Sequence, residues 1–284
     1  METPHPLLQA AKAILLAIIG FLMIFPFVYV LAVSFSSYED VVGRGLIIFP
    51  ANPTLDAYRT VLEGGVVTRA VMVSAGLTLC GTAINLFMTV TLAYALSRTS
   101  VAGSRFVLIV VLLTFLFQPG LIPRFLLVKE LGLLDTYASL ILPGMISAFN
   151  LVVIRNFFMN IPQELLDSAR MDGANDLRVL WDVVLPLSKA VLAVIALFYG
   201  VAIWNIFFDA VLYLNDTDKW PIQLILNQYV VQGNPMSQGQ VRVNTPPETI
   251  RMAVLVIATV PILLVYPFLQ RYFTRGVLTG AIKG

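Results

Sequence analysis

Long apolar runs separated by short polar turns dominate this chain. A helix rises 1.5 Å per residue, so about 20 apolar residues cross about 30 Å of hydrocarbon. Six stretches meet or approach that length: residues 13–34, 70–96, 106–123, 136–154, 187–208 and 252–270. The third is the shortest, and Pro119 and Pro123 are expected to end it. Charge is nearly absent inside the runs. Lys189 and Asp209 fall at run ends, where long side chains snorkel or water reaches. The first run is too long for a signal-peptide core, and no A-x-A-like site follows it, so it reads as a retained helix. The pattern predicts an all-α integral membrane protein, a single transmembrane domain over residues 1–284 with six transmembrane helices.

Composition supports this solvent assignment. The 284 residues are 58% hydrophobic and 12% charged, against about 25% charged in soluble domains. A net charge of +2 with no block of like charges points away from nucleic acid. Lys and Arg set orientation. With the N-terminus inside, ten of the 18 fall on the cytoplasmic side. The short turn holding Arg98 and Arg105, together with Arg271 and Arg275 near the end, votes most firmly. Both termini are therefore expected to be cytoplasmic.

Cys80 is the single cysteine and His5 the single histidine. One cysteine excludes an internal disulfide and a cysteine zinc cluster, and Cys80 reads as a small core residue. A lone histidine in the N-terminal tail leaves little basis for histidine catalysis or metal binding. No G-x-x-x-x-G-K-[ST] phosphate loop occurs, so the chain is not itself an ATPase.

Three connections exceed a tight turn. Residues 35–69 and 210–250 are expected outside, and 155–186 inside. In the first, Glu39 and Asp40 read as a solvated loop face. The polar stretch from Gln232 to Asn244 is a candidate reach toward a partner or the pathway, with plain disorder as its alternative.

The cytoplasmic segment 160–186 reads NIPQELLDSARMDGANDLRVLWDVVLP. Pro162 suits a helix start, where a missing N–H costs nothing. Glu164 favours the positive helix N-terminus. Gly173 permits a sharp backbone reversal, Asn175 or Asp176 can cap a second short helix, and Pro186 stops or kinks it. The expected product is a helix–turn–helix on the cytoplasmic face. Small residues at Ser168, Ala169, Gly173 and Ala174 would let another protein approach closely.

That segment resembles the signature of ABC importer permeases: E-A-A, three residues, G, nine residues, I-x-L-P. Here it is Asp167-Ser168-Ala169, three residues, Gly173, nine residues, then Val183-Val184-Leu185-Pro186. The inner Asp172-Gly173-Ala174 is the form typical of the sugar-importing branch. The run YFTRGVLTGAIKG (272–284) resembles the tail of maltose-type, MalG-like permeases. Residues 204–226 and 246–273 look closer to an oligosaccharide subgroup that includes uronate and alginate importers.

The resemblance implies a type I ABC importer permease fold in a bacterial inner membrane. It implies that residues 160–186 are a cytoplasmic coupling loop and that the tail 272–284 slips between ATPase subunits. Glu164, Asp167, Ser168, Ala169, Asp172, Gly173, Ala174, Leu185 and Pro186 would meet the ATPase. The implied partners are a second, non-identical permease, two ATP-binding cassette subunits that use ATP and Mg²⁺, and an extracellular solute-binding protein. The implied cargo is a carbohydrate, an oligosaccharide such as an alginate or oligouronate fragment.

A sugar path needs hydrogen-bonding groups and aromatic faces inside the bundle. Asn85, Asn150, Trp204, Asn205 and Phe208 are the substrate-path candidates, each with ordinary interhelical packing as its alternative. An ion-coupled secondary carrier would place ionisable groups mid-membrane. A membrane enzyme would need a nucleophile, base or metal ligands in a cleft. The clean spans argue against both, and a structural membrane subunit is the remaining rival.

Overall fold

The computed structural model describes residues 6–43, 45–98, 101–231 and 246–281, with side chains up to residue 267 except 6–8 and 266. His5, the stretch from Gln232 to Asn244 and the last three residues of the tail lie outside the described residues. Every regular element among those described is helical. The chain divides into two compact units, residues 1–69 with 225–260 and residues 70–224 with 261–284.

The first unit opens with α1 (Pro6–Ser34), whose apolar side chains project outward along most of its length. Outward apolar residues over 26 residues of helix suit lipid, not water. Two short helices follow, α2 (Tyr38–Gly43) and α3 (Asp56–Glu63). A small core of Ala32, Val33 and Ile47 is covered by Tyr29, Val41 and Met252. Asp40 corrects the solvated-face expectation: it is buried, and its Oδ2 accepts from the backbone N–H groups of Ala51 and Asn52, both at 3.0 Å. Two backbone donors compensate a carboxylate taken out of water, and they staple the 45–54 loop onto α2.

The helix α4 (Val66–Ser97) leads into the second unit. Then come α5 (Ser104–Leu116), α6 (Leu121–Glu130), α7 (Ala138–Ile141), α8 (Ala148–Met159), α9 (Gln163–Met171) and α10 (Asp176–Val179). The remainder are α11 (Leu185–Leu187), α12 (Lys189–Trp204), α13 (Phe208–Tyr213), α14 (Ile222–Val230) and α15 (Pro247–Ala281).

Two clusters hold the second unit. One packs Val90, Ala93 and Leu96 of α4 against Leu151, Ile154 and Phe158 of α8 and Ile195 and Tyr199 of α12. The other packs Leu77 of α4 with Val128, Leu140, Ile141, Ile203 and Tyr213. Gly81 lies between them. A Cβ there would sit 2.8 Å from Ile203 Cδ1, so the missing side chain is what lets α4 approach α12. Cys80, beside it, is exposed rather than core.

Among the described residues, three helices are long and apolar enough to cross a membrane: Gln9–Ser34, Val66–Ser97 and Pro247–Val265. Two bent helix pairs pass the same test only when their halves are taken together. Residues 138–159 bend by 54° between Gly144 and Ala148, where Pro143 and Gly144 end one helix and extended Ser147 caps the next. Residues 176–204 bend by 85° at Ser188. The apolar stretch at 106–123 is also split. Its helix α5 ends at Leu116, ahead of Pro119, while Pro123 sits in the first turn of α6 and so begins a helix rather than ending one. A proline lies within three residues of each break, where it withholds an N–H from the helical ladder.

Candidate functional site

The segment 160–186 folds as its punctuation predicts. Pro162 precedes α9 as its N-cap residue, with Glu164 in the first turn. The helix ends in a Schellman motif: the Gly173 N–H donates to Arg170 O at 3.0 Å and the Ala174 N–H to Ala169 O at 3.0 Å. Gly173 takes φ +82°, the left-handed region that disfavours a Cβ. Asn175 caps α10, its Oδ1 accepting from the Arg178 N–H at 2.9 Å.

Beyond α10 the ladder widens into a π-turn, Leu180–Val184. Pro186 accounts for the widening: it has no N–H to give and its ring crowds the preceding turn. Ser188 then closes the bend, its Oγ donating to Val184 O at 2.6 Å while fully buried.

The segment is braced onto the second unit. Leu166, Val179, Leu180 and Val184 are buried against α4 and α8. Tyr94 OH donates to Asp176 O at 3.0 Å. The Asp176 carboxylate draws in Arg170 at 3.3 Å and Arg98 at 4.0 Å. Arg98 also lies 4.6 Å over the Tyr94 ring, and Arg170 reaches Asp167 at 3.5 Å.

Among the expected contact residues, Glu164, Asp167, Ser168, Asp172, Gly173 and Pro186 are exposed, and Ala169, Ala174 and Leu185 are half-buried. Three apolar side chains of the same segment are exposed as well. Met171 is 84% exposed, Leu177 67% and Trp181 58%. Their spacing across the turn was the available signal, since each stands where an amphipathic connector would bury its apolar face.

A second feature is a cavity of about 450 Å³ in the same unit. Asn85 of α4, Arg124 of α6, Asn150 and Phe149 of α8, Tyr199 of α12 and Asp209 of α13 line it. Arg124 Nη2 donates to Asp209 Oδ2 at 3.0 Å. Tyr199 OH lies 2.6 Å from Thr89 Oγ1 and accepts from the Ser147 N–H at 3.0 Å. The Phe149 and Phe198 rings stand 6.4 Å apart at the border.

Of the substrate-path candidates, the structure therefore brings together Asn85 and Asn150. It does not bring Trp204, Asn205 or Phe208 to this cavity. Trp204 is buried, Asn205 Nδ2 donates to its own helix at Val201 O over 2.8 Å, and Phe208 is exposed. One residue decides the difference. The helix ends at Trp204, so its α12 neighbours Ala202 and Ile203 point to the cavity while Asn205 turns to Gln223. The Arg124–Asp209 pair was not foreseen. The partners are separated by 85 positions, and no local pattern announces such a meeting.

Comparison with known proteins places these features in a context. The family model described as "Binding-protein-dependent transport system inner membrane component" matches residues 85–279. The polygalacturonan/rhamnogalacturonan transport system permease protein YtcP of Bacillus subtilis (strain 168) is 46% identical over 277 residues, covering 94% of this chain and 97% of that one. Protein LplC of the same organism is 47% identical, covering 94% and 91%. A chain in the crystal structure of a bacterial ABC transporter involved in the import of the acidic polysaccharide alginate superposes with a TM-score of 0.88. It is 30% identical and the match covers 96% of this chain and all of that one.

Proposed function

This chain belongs to the family of binding-protein-dependent transport system inner membrane components, and we propose that within such a system it is one permease subunit of an ATP-driven carbohydrate importer. The cargo is an oligosaccharide, as the names of the relatives suggest. The chain crosses a bacterial inner membrane six times with both termini cytoplasmic. A non-identical sibling permease completes the pathway. Two ATP-binding cassette subunits use ATP and Mg²⁺, and a solute-binding protein delivers cargo to the outer face.

The observation that carries this reading is the braced helix–turn–helix at 160–186. Its outward face combines small residues, the carboxylates of Glu164, Asp167 and Asp172, and the exposed Met171, Leu177 and Trp181. Exposed apolar side chains on a rigid polar support fit a protein partner. Work passes between subunits only if each state of the ATPase contacts this surface differently. Rigidity is the requirement, and the Schellman turn at Gly173, the Asn175 cap and the shared Asp176 carboxylate supply it. Leu185 and Pro186 carry the displacement into the 85° bend at Ser188 and so into α12. Alternation between inward- and outward-open states follows from rocking of the paired permeases.

Reconstitution tests the reading. The four-subunit complex should hydrolyse ATP faster when the solute-binding protein and an oligosaccharide are added together. Cysteines at Ser168 and at the ATPase groove should crosslink. Absence of both would remove the importer reading.

A further inference from the structure

Asn85 is only 3% exposed, and its side-chain oxygen Oδ1 meets no hydrogen-bond donor of the protein. A buried acceptor left unmet is costly. The residue that carries it lines the cavity described above, so a small shift of the Asn85 amide toward a ligand hydroxyl gives the occluded Oδ1 the donor it lacks.

The same wall holds the Arg124–Asp209 pair at 3.0 Å. Their contact joins one guanidinium nitrogen to one carboxylate oxygen. A guanidinium has five N–H donors and a carboxylate about four lone-pair sites, so the pair is neutral as a whole yet offers both donors and acceptors. Phe149 and Phe198 add an apolar border.

These features select among ligands. A bare anion would face the Asp209 carboxylate and Asn85 Oδ1, and a bare cation would face the Arg124 guanidinium. An apolar molecule would leave Oδ1 unmet. A ring bearing several hydroxyls satisfies every group: hydroxyls both donate and accept, and the C–H face of the ring suits an aromatic border. Cavities of roughly 300–1,000 Å³ hold small-molecule ligands, and this one, at about 450 Å³, holds a sugar unit rather than a whole oligosaccharide.

We infer that this cavity is a sugar-ring subsite carried by this chain, with Asn85 Oδ1 accepting from one ring hydroxyl, neighbouring hydroxyls shared between Arg124 and Asp209, and the ring face against Phe149 and Phe198. The inference rests on the importer reading. It adds that this subunit holds cargo itself, and that it recognises hydroxyls rather than the charge of the cargo.

The test uses the whole complex in proteoliposomes. It is offered two diazirine-tagged probes of equal length, a galacturonate oligomer and a neutral galactose oligomer. Both should label this chain within the cavity-lining helices. Asn85→Leu should lower labelling and uptake at least about tenfold, the weight of a lost buried hydrogen bond. It should leave the melting temperature of the complex unchanged or raised, because it deletes the unmet acceptor. Asp209→Asn should lower labelling less, since an amide still donates and accepts. Uptake with label confined to the sibling permease overturns the subsite and leaves the importer reading intact. So does unchanged labelling in Asn85→Leu. Labelling by the acidic probe alone overturns the hydroxyl basis. Failure to take up either probe overturns the importer reading itself.

Discussion

The segment 160–186 and the cavity lie in one compact unit, but they are built on opposite plans. The segment is local. Its turn, caps and bend are each fixed by residues within a few positions of one another: Gly173 with Arg170, Asn175 with Arg178, Ser188 with Val184. The cavity is assembled from six α-helices, and its central contact joins Arg124 to Asp209 across 85 positions. A locally coded element fails at single residues. A long-range one fails in pairs, and it depends on the packing that brings its helices together.

The largest break in that contrast should come from Gly173→Pro. Proline fixes φ near −65°, whereas this position takes +82°, and the variant also deletes the N–H that donates to Arg170 O. Uptake should fall beyond about 150-fold, the upper range of coupling energies between sites. Membrane insertion, followed by fractionation and immunodetection, should persist. Normal uptake would remove this turn from the account of coupling.

Next in size is Asp176→Ala. It releases Arg170 and Arg98 together but leaves the Tyr94 hydroxyl bonded to the backbone oxygen at 176. Cargo-stimulated ATP hydrolysis should drop by about 5–10-fold, within the ordinary range of coupling. Stability should change by no more than about 1 kcal/mol, because the carboxylate is exposed. A loss of stability without loss of coupling would make the bridge a mere fastening.

Gly81→Val probes the other plan. Its side chain has no room against Ile203 and Ile141, and overpacking costs about 1–3 kcal/mol. The melting temperature should fall and cargo uptake with it, although the residue touches no cargo. A double-mutant cycle sharpens the comparison further. Arg124→Gln and Asp209→Asn should each impair uptake about 3–10-fold, and the double variant should be less impaired than the product of the two.

The smallest effect concerns Lys219 and Asp135, 2.8 Å apart outside the apolar spans. The ammonium and two backbone N–H groups hold the Asp135 carboxyl below its usual value, and the carboxylate in turn raises the Lys219 ammonium. A lowered carboxyl stabilises the fold above its unfolded pKa and loses that contribution as pH falls through the folded one. A raised ammonium does so below its unfolded pKa and loses it as pH rises through the folded one. The difference in melting temperature between the protein and Asp135→Asn should therefore be flat through neutral pH and narrow at both acid and strongly alkaline pH.

The same division explains what could be read from the sequence. Pro162, Gly173, Asn175 and Pro186 act on their neighbours, so the helix–turn–helix was legible residue by residue. The family signature lay in that same stretch. Asn85 and Asn150 were legible as polar residues in apolar runs, but not as neighbours across a cavity. Arg124 follows directly on the apolar stretch 106–123, and nothing near it in sequence reveals Asp209. Asp40 misled for a similar reason. Its partners at Ala51 and Asn52 lie a loop away, and an acidic residue in a polar connection looks solvated until that loop closes. Asn205 stands beside Trp204 and near Asp209 in sequence, but α12 ends at Trp204 and the Asn205 amide turns back to Val201 O.

The corner at Ser188 has a geometric consequence. Residues 176–187 and 189–204 meet at 85°, close to a right angle, and the joint is clamped by a buried hydroxyl. Such a corner works like a pair of bevel gears. A twist about the first axis emerges as a swing of the second, and the far end of α12 travels in proportion to its length. At 16 residues and 1.5 Å each, that arm is about 24 Å long, so a turn of a few degrees at the corner becomes a displacement of an ångström or more where Tyr199 and Ile203 meet the cavity.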